Sequence, residues 1–166
     1  NQLVFKKMKK FLGLDKCKIM MYGAAPLNQS TIDFFAGFDI PLFCMYGLSE
    51  TTGATVITLQ NQYALGIGGM AINGSHIKIA NPDSEGQGEV LIKGRSVMMG
   101  YLKNAEATKK VIGPDGYFAS GDQGKFHGIW LQITGRIKEL IITSGGENVA
   151  PVAIEDKFKL HCTACS

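Results

Sequence analysis

Tyr46-Gly47-Leu48-Ser49-Glu50-Thr51-Thr52-Gly53 begins where an apolar run ends. Pro41–Tyr46 reads as a buried strand. The octapeptide therefore sits at a strand's carboxyl end, where open α/β sheets hold ligands. It offers an aromatic face, backbone N–H groups freed by glycine, hydroxyls and one carboxylate. Those groups suit a nucleotide: ring stacking, phosphate contacts and a magnesium ligand. A polar turn capped by its own Ser and Glu would use the same residues, so the stretch alone leaves both readings open.

Working outward, Lys18–Tyr22 reads as an apolar strand and Asn28–Phe35 as a helix with Asn28 or Ser30 at its N-cap. With Pro41–Tyr46 they make a β-α-β stretch, the end of an α/β unit. After Ala54 the texture changes. Thr55–Leu59, His76–Ala80, Gly88–Lys93, Gln123–His127, Leu131–Thr134 and Glu139–Thr143 are short strand patterns between Gly and Pro turns. That spacing predicts a small, mostly antiparallel sheet or barrel, with one short helix, Ala105–Val111, inside it. The expected fold class is mixed α/β. Three parts are expected: 1–53, the end of the α/β subdomain with the turn; 54–136, a β-rich subdomain; and 137–166, a hinge and the start of a further domain.

At the start, Val4, Phe5, Met8, Phe11 and Leu12 form one helical stripe across Val4–Leu14, opposite Lys6, Lys7, Lys9 and Lys10. A surface helix resting on a core is the expectation; a basic membrane-surface helix is the alternative. Ile154–Leu160 begins another helix. Both ends read as cut, as in a segment of a longer protein.

The chain has 166 residues, enough for one domain or one plus an incomplete piece. Hydrophobic residues make up 45% and charged ones 19%, which argues for a packed core and against disorder. The net charge of +3 is too small to imply a nucleic-acid partner. No run approaches the ~20 apolar residues of a membrane span, and no secretory signal pattern is visible. Glycine is unusually common, 21 residues without a collagen period, so it belongs to turns and close backbone approaches. Gly66-Ile67-Gly68-Gly69-Met70-Ala71 has the spacing G-x-G-x-x-A, but Asn73-Gly74 breaks any helix within a turn. A dinucleotide fingerprint needs that helix, so a glycine-rich strand or loop is expected. No Walker-type phosphate loop is present. Cys162-x-x-Cys165 has no second pair to complete a zinc site. With Cys17 and Cys44 it reads as reduced, cytosolic thiol.

The octapeptide resembles the signature of the acyl- and aryl-adenylate-forming enzymes: acyl-CoA synthetases, luciferases and peptide-synthetase adenylation domains. Further stretches follow in that family's order. Gly23-Ala24-Ala25-Pro26 resembles its preceding turn. Gly88-Glu89-Val90 through Gly94-Arg95 and Gly100-Tyr101 resemble its "GE…G…GY" block. Tyr117-Phe118-Ala119-Ser120-Gly121-Asp122-Gln123-Gly124 resembles G-W/Y-x-x-T-G-D-x-G, with Ser120 where Thr is commoner. Thr134-Gly135-Arg136-Ile137-Lys138-Glu139 and Ser144-Gly145-Gly146-Glu147-Asn148-Val149 continue it. The matches span Gly23 to Glu155. The wording is most similar to long-chain fatty acyl-CoA synthetases of the bubblegum type.

The resemblance implies activation of a fatty acid by ATP to acyl-AMP, then transfer to coenzyme A, with Mg²⁺ required. It implies Glu50 as the Mg²⁺ ligand and Thr51 as the α-phosphate contact. Tyr46 would stack on adenine, with Gly23, Ala24 and Ala25 as walls and Gly47, Leu48 and Ser49 completing the turn. Asp122 would accept from the ribose hydroxyls, and Arg136 would donate to ribose or phosphate. Lys138 takes the hinge position, and Gly145 and Gly146 lie beside the pantetheine arm. The partners implied are fatty acid and coenzyme A, at a cytoplasmic location that allows peripheral association with the endoplasmic reticulum membrane. A ligase for another acid or a carrier-protein thiol would share these residues, and so would a non-catalytic nucleotide-binding module. The family's phosphate loop would lie before Asn1 and its small-domain lysine after Ser166. The isolated 166 residues are therefore expected to make no acyl-adenylate. Fatty-acid-dependent pyrophosphate release from the purified chain measures this, and any such release overturns it.

Overall fold

The computed structural model describes residues 2–24, 27–59, 68–142, 148–149 and 151–162. Strand β1 (Met20–Gly23), helix α2 (Gln29–Gly37) and strand β2 (Leu42–Leu48) follow an N-terminal helix α1 (Gln2–Phe11). β1 and β2 pair in parallel, Met20 opposite Leu42 and Gly23 opposite Met45. The expected β-α-β unit is thus present. Asn28 is the cap of α2: its side-chain oxygen accepts from the Ser30 N–H at 2.9 Å, satisfying a donor that has no partner within the helix. The helix ends at Gly37, and Asp39 turns the chain with φ of 58°. Ile32 is the buried residue of α2, and Ile40 and Phe43 bury the following strand.

A tight 3-10 turn, Ser49–Thr51, leads into β3 (Gly53–Ile57), which runs antiparallel to β2. β4 (Met70–Ala71) pairs with β3, giving the sheet order β1-β2-β3-β4. The change of texture after Ala54 is therefore not a sheet boundary. β3 and β4 extend the first sheet, because the turn folds the chain straight back onto β2. The second sheet begins at β5 (Ser75–Ala80) and continues through β6 (Gly88–Gly94), β7 (Phe118–His127) and β8 (Trp130–Arg136). It is an open antiparallel meander rather than a barrel. Helix α3 (Ala105–Val111) lies between β6 and β7, capped by Asn104, whose side chain accepts from the Ala107 N–H. β7 starts five residues earlier than expected. Gly121, at φ of 73°, bends the strand instead of ending it. Beyond β8 come a 3-10 turn, Ile137–Glu139, a small pair of strands β9 (Ile141–Ile142) and β10 (Asn148–Val149), and helix α4 (Pro151–His161).

The two larger sheets share one core. Val56 of β3 packs with Val90 and Ile92 of β6 and Leu131 of β8, and Tyr46, Leu48 and Ile133 lean against them. In β6 the buried positions alternate, as period-two side-chain geometry requires. The backbones also meet: Gly69 and Leu131 exchange N–H···O bonds of 3.1 and 2.8 Å. The glycine-rich segment therefore serves as strand, not as a dinucleotide turn, over its described residues; Gly66 and Ile67 lie outside them.

Helix α1 departs from expectation. Leu3, Val4, Phe11 and Leu12 are exposed. Phe5 and Met8 are only half-buried. A polar tie anchors the helix: Lys9 Nζ lies 3.1 Å from the Asp39 carboxylate.

Leu131→Ala should cost about 2–5 kcal/mol, because Leu131 is 1% exposed where the sheets join. Lys110→Ala, on the solvent face of α3, should stay within about 0.5 kcal/mol of the parent. Urea unfolding midpoints compare the two.

Candidate functional site

Two strand ends meet at the site. β2 delivers Tyr46, Gly47 and Leu48, and β7 and β8 deliver Asp122 and Arg136 as cross-strand partners. The β2–β3 register shifts between Tyr46 and Gly47. There the two strands approach so closely that a Cβ on Gly47 would stand 1.9 Å from the Gly53 carbonyl oxygen. No side chain fits, so glycine is required by contact alone.

Thr51 closes the turn. It is fully buried. Its hydroxyl accepts from the Leu48 N–H at 3.0 Å and shares its proton between the carbonyls of Leu48, at 3.0 Å, and Gly53, at 2.9 Å. Its proton and one of its lone pairs are thus committed to the turn's own backbone. The expected direct contact from Thr51 to a phosphate does not match this geometry. Ser49, two residues earlier, is exposed, and its hydroxyl is accessible.

Asp122 is the buried charge of the site, with its side chain 8% exposed. Its Oδ2 accepts from the Tyr46 hydroxyl at 2.8 Å. Its Oδ1 lies 3.4 Å from Arg136 Nε, and the Arg136 guanidinium, 59% exposed, reaches on to Glu139 at 3.8 Å. The strand beneath is locked as well. The Asp122 N–H donates to Ser120 Oγ at 3.1 Å, Ser120 Oγ donates to the Val90 carbonyl at 2.7 Å, and the Gly121 N–H donates to Glu89 Oε1 at 3.1 Å. Ser120 does this with a hydroxyl alone, which explains why serine suffices where the related block usually has threonine. Burial pushes the Asp122 carboxyl above the usual carboxylate range, against the pull of the Tyr46 hydroxyl and Arg136. Burial also pushes the Tyr46 phenol well up, so it remains a neutral donor.

These groups border a cleft of about 560 Å³, within the ~300–1,000 Å³ range of small-molecule sites. Gly23, Ala24, Tyr46, Gly47, Asp122 and Arg136 line it, with Leu131 and Ile133 on its apolar side. Ala24 has φ of 65°, a conformation unfavourable for a side chain bearing a Cβ. Such strain gathers at functional sites. Ionised Asp122 retains lone pairs for further donors, since each carboxylate oxygen has two acceptor sites.

The structure separates some expected members from this cleft. Glu50 is half-buried and not among the residues lining the cleft, and its Oε1 accepts from the Tyr101 hydroxyl at 2.9 Å. Lys138 is exposed on the 3-10 turn after β8. Ala25, Gly145 and Gly146 lie outside the described residues. Among the described residues no three His, Cys, Asp or Glu side chains gather as a metal cage. A lone Glu50 with Oε2 open suits magnesium, which takes one or two carboxylates and fills its shell with phosphate oxygens and water. Glu89, Ser120 and Tyr101 went unassigned as site residues. Their blocks carry a signal, but their roles depend on neighbours distant in sequence.

Residues 2–102 match the model of the AMP-binding enzyme family. The chain is 47% identical over 160 residues to the long-chain-fatty-acid–CoA ligase ACSBG2 of Xenopus laevis, covering 96% of this chain and 22% of that protein. It is 43% identical over 162 residues to the long-chain-fatty-acid–CoA ligase ACSBG1 of Homo sapiens, covering 97% and 22%. The chain thus spans about a fifth of the length of these relatives. Among solved structures it resembles ATP-bound MatB from Rhodopseudomonas palustris, with TM-score 0.76 and 29% identity over 85% of this chain and 29% of that one. It also resembles the O-succinylbenzoate coenzyme A synthetase of Bacillus subtilis in complex with ATP and magnesium, with TM-score 0.75 and 27% identity over 87% and 31%.

The raised Asp122 carboxyl has a consequence for stability. The folded state holds that proton more tightly than the unfolded chain does. Stability therefore falls as pH rises from the ordinary Asp value of about 3.9 through the higher folded one. Asp122→Asn removes the titration and keeps an oxygen for Tyr46. Relative to the parent, its urea midpoint should rise between about pH 3 and neutrality. Parallel pH profiles would show that Asp122 titrates alike in both states.

Proposed function

We propose that this chain, which belongs to the AMP-binding enzyme family, carries much of the nucleotide pocket of a long-chain fatty acid:CoA ligase. In that reaction the fatty acid carboxylate attacks the α-phosphate of ATP and expels pyrophosphate. The coenzyme A thiol then displaces AMP from the mixed anhydride. Such chemistry asks the protein for positioning and charge stabilisation. The observation that carries the reading is the Tyr46–Asp122–Arg136 group at one cleft. The ligase relatives, identical at 43–47% of aligned positions, support the acyl substrate.

Tyr46 presents its ring to adenine while its hydroxyl stays tied to Asp122. Asp122 accepts from the ribose hydroxyls, and Arg136 donates to ribose or phosphate from a planar fork. Gly23, Ala24 and Gly47 bring backbone close to the nucleotide. Ser49 takes the α-phosphate contact in place of Thr51, which holds the turn. Glu50 would hold Mg²⁺, which when bound neutralises phosphate charge. Lys138 is the hinge between the sheet ending at Arg136 and the segment beyond, and Gly145 and Gly146 border the pantetheine arm. No described helix is long and apolar enough to cross a membrane. The reading places the enzyme in the cytoplasm, peripheral to the endoplasmic reticulum membrane.

In the full-length ligase Asp122→Ala should weaken AMP binding roughly ten- to hundredfold, since a hydrogen bond to a charged acceptor is worth about 1.5–3 kcal/mol. Isothermal titration with AMP measures it, and unchanged affinity would remove the ribose assignment.

Lys138→Pro fixes φ near −65° and deletes an N–H. Hinges work by large φ/ψ changes at a few residues. The variant should retain most adenylation and lose most thioester formation. Single-turnover assays started from ATP, and separately from supplied acyl-adenylate, resolve the halves. Equal loss in both would count against the hinge.

A further inference from the structure

The segment between β6 and α3 lies over the outer side of the signature turn. Three hydrogen bonds join them. Thr52 Oγ1 donates to the Ser96 carbonyl at 2.8 Å, the Met98 N–H donates to the Glu50 carbonyl at 2.7 Å, and the Tyr101 hydroxyl donates to Glu50 Oε1 at 2.9 Å. The Met98 bond holds the Glu50 main chain. The Tyr101 bond alone of the three acts on the Glu50 carboxylate.

Tyr101 is itself held in place. Its N–H donates to Thr108 Oγ1 at 2.9 Å, and that hydroxyl donates to the Asn104 carbonyl at 2.9 Å, inside the first turn of α3. Gly100 passes so close that a Cβ there would stand 2.6 Å from Thr108 Cγ2. α3 thus fixes the backbone of Tyr101, and its phenol fixes one oxygen of Glu50. A free Glu side chain samples several rotamers, and holding it costs conformational entropy. A donor on Oε1 meets part of that cost before any ligand arrives and leaves Oε2 open.

We propose that Tyr101 is a positioning residue that presents the open oxygen of Glu50 to the divalent cation of a metal–nucleotide complex. This rests on the reading of Glu50 and the cleft given above. It assigns to α3 and the preceding loop a part in metal–nucleotide binding, although neither lines the cleft.

The test uses the full-length ligase and Mn²⁺ with ATP as probe, read by electron paramagnetic resonance of bound Mn²⁺. Tyr101→Phe keeps the ring and removes the donor. It should weaken Mn²⁺–ATP binding about five- to tenfold, the effect of one lost hydrogen bond. Metal-free AMP affinity and the melting temperature should stay near the parent's. Thr108→Val, which frees the Tyr101 backbone, should weaken Mn²⁺–ATP binding less. Glu50→Gln should weaken it at least as much as Tyr101→Phe, and the double variant should be no weaker than Glu50→Gln alone. Unchanged Mn²⁺–ATP binding in Tyr101→Phe overturns the proposal. So does an equal loss of metal-free AMP affinity, which would mark a merely structural role. If Glu50→Gln leaves Mn²⁺–ATP binding intact while Asp122→Ala weakens AMP, the proposal falls and the nucleotide reading stands. If Asp122→Ala also leaves AMP binding intact, the reading beneath it falls as well.

Discussion

The hydrogen bond from Tyr46 to Asp122 joins residues 76 positions apart in the chain and two different sheets. It links an inner strand of the first sheet to β7 of the second, and the cleft opens beside it. Its cost lies in Asp122, a carboxylate kept nearly out of water. Burial of a charge is tolerated when paired and hydrogen-bonded, and the structure supplies partners from three strands. Tyr46 comes from β2, Arg136 from β8, and the flanking backbone is held by Glu89 of β6. Shift any strand by one residue and the set disperses, since a one-residue slip turns every side chain to the other face. The polar group thus depends on the apolar core of Val56, Val90, Ile92 and Leu131 for its register.

Local pattern was enough to read much of the fold. The N-cap of α2 was legible to within Asn28 or Ser30 because capping is a near-neighbour interaction, and the structure uses Asn28. α3 matched its expected span because its cap lies within one turn of it. The β-α-β unit was legible because parallel strands need a crossover. What local pattern could not show was which sheet a strand would join. β3 follows a glycine-rich turn and looks like the start of something new, yet the turn reverses it onto β2. The same limit explains Gly121, which reads as a turn residue but bends a strand, its N–H held by Glu89 of β6, 32 residues away.

The site divides along the same line. Asp122 and Arg136 were legible as a pair from the ordered blocks, and cross-strand register brings them together. Tyr46 was assigned for its ring, whereas its hydroxyl proves to hold the sheets' shared polar bond. Glu89, Ser120 and Tyr101 act through neighbours far away in sequence, so no window around them reveals a role. For Thr51 the error ran the other way. A hydroxyl beside a candidate metal ligand suggests chemistry, but nothing in the sequence says which way it points.

The buried hydroxyl of Thr51 bears on how variants of this signature are interpreted. A screen that scores turnover alone would place Thr51 among the residues of the reaction, because replacing it by valine would strand the Leu48 amide and open the turn. The loss would be one of shape, passed on to Ser49 and Glu50 just before it in the turn. Position 51 therefore constrains the turn as a template does, fixing where its neighbours stand. Packing leaves room for change at exposed Ser49 and little at buried Thr51.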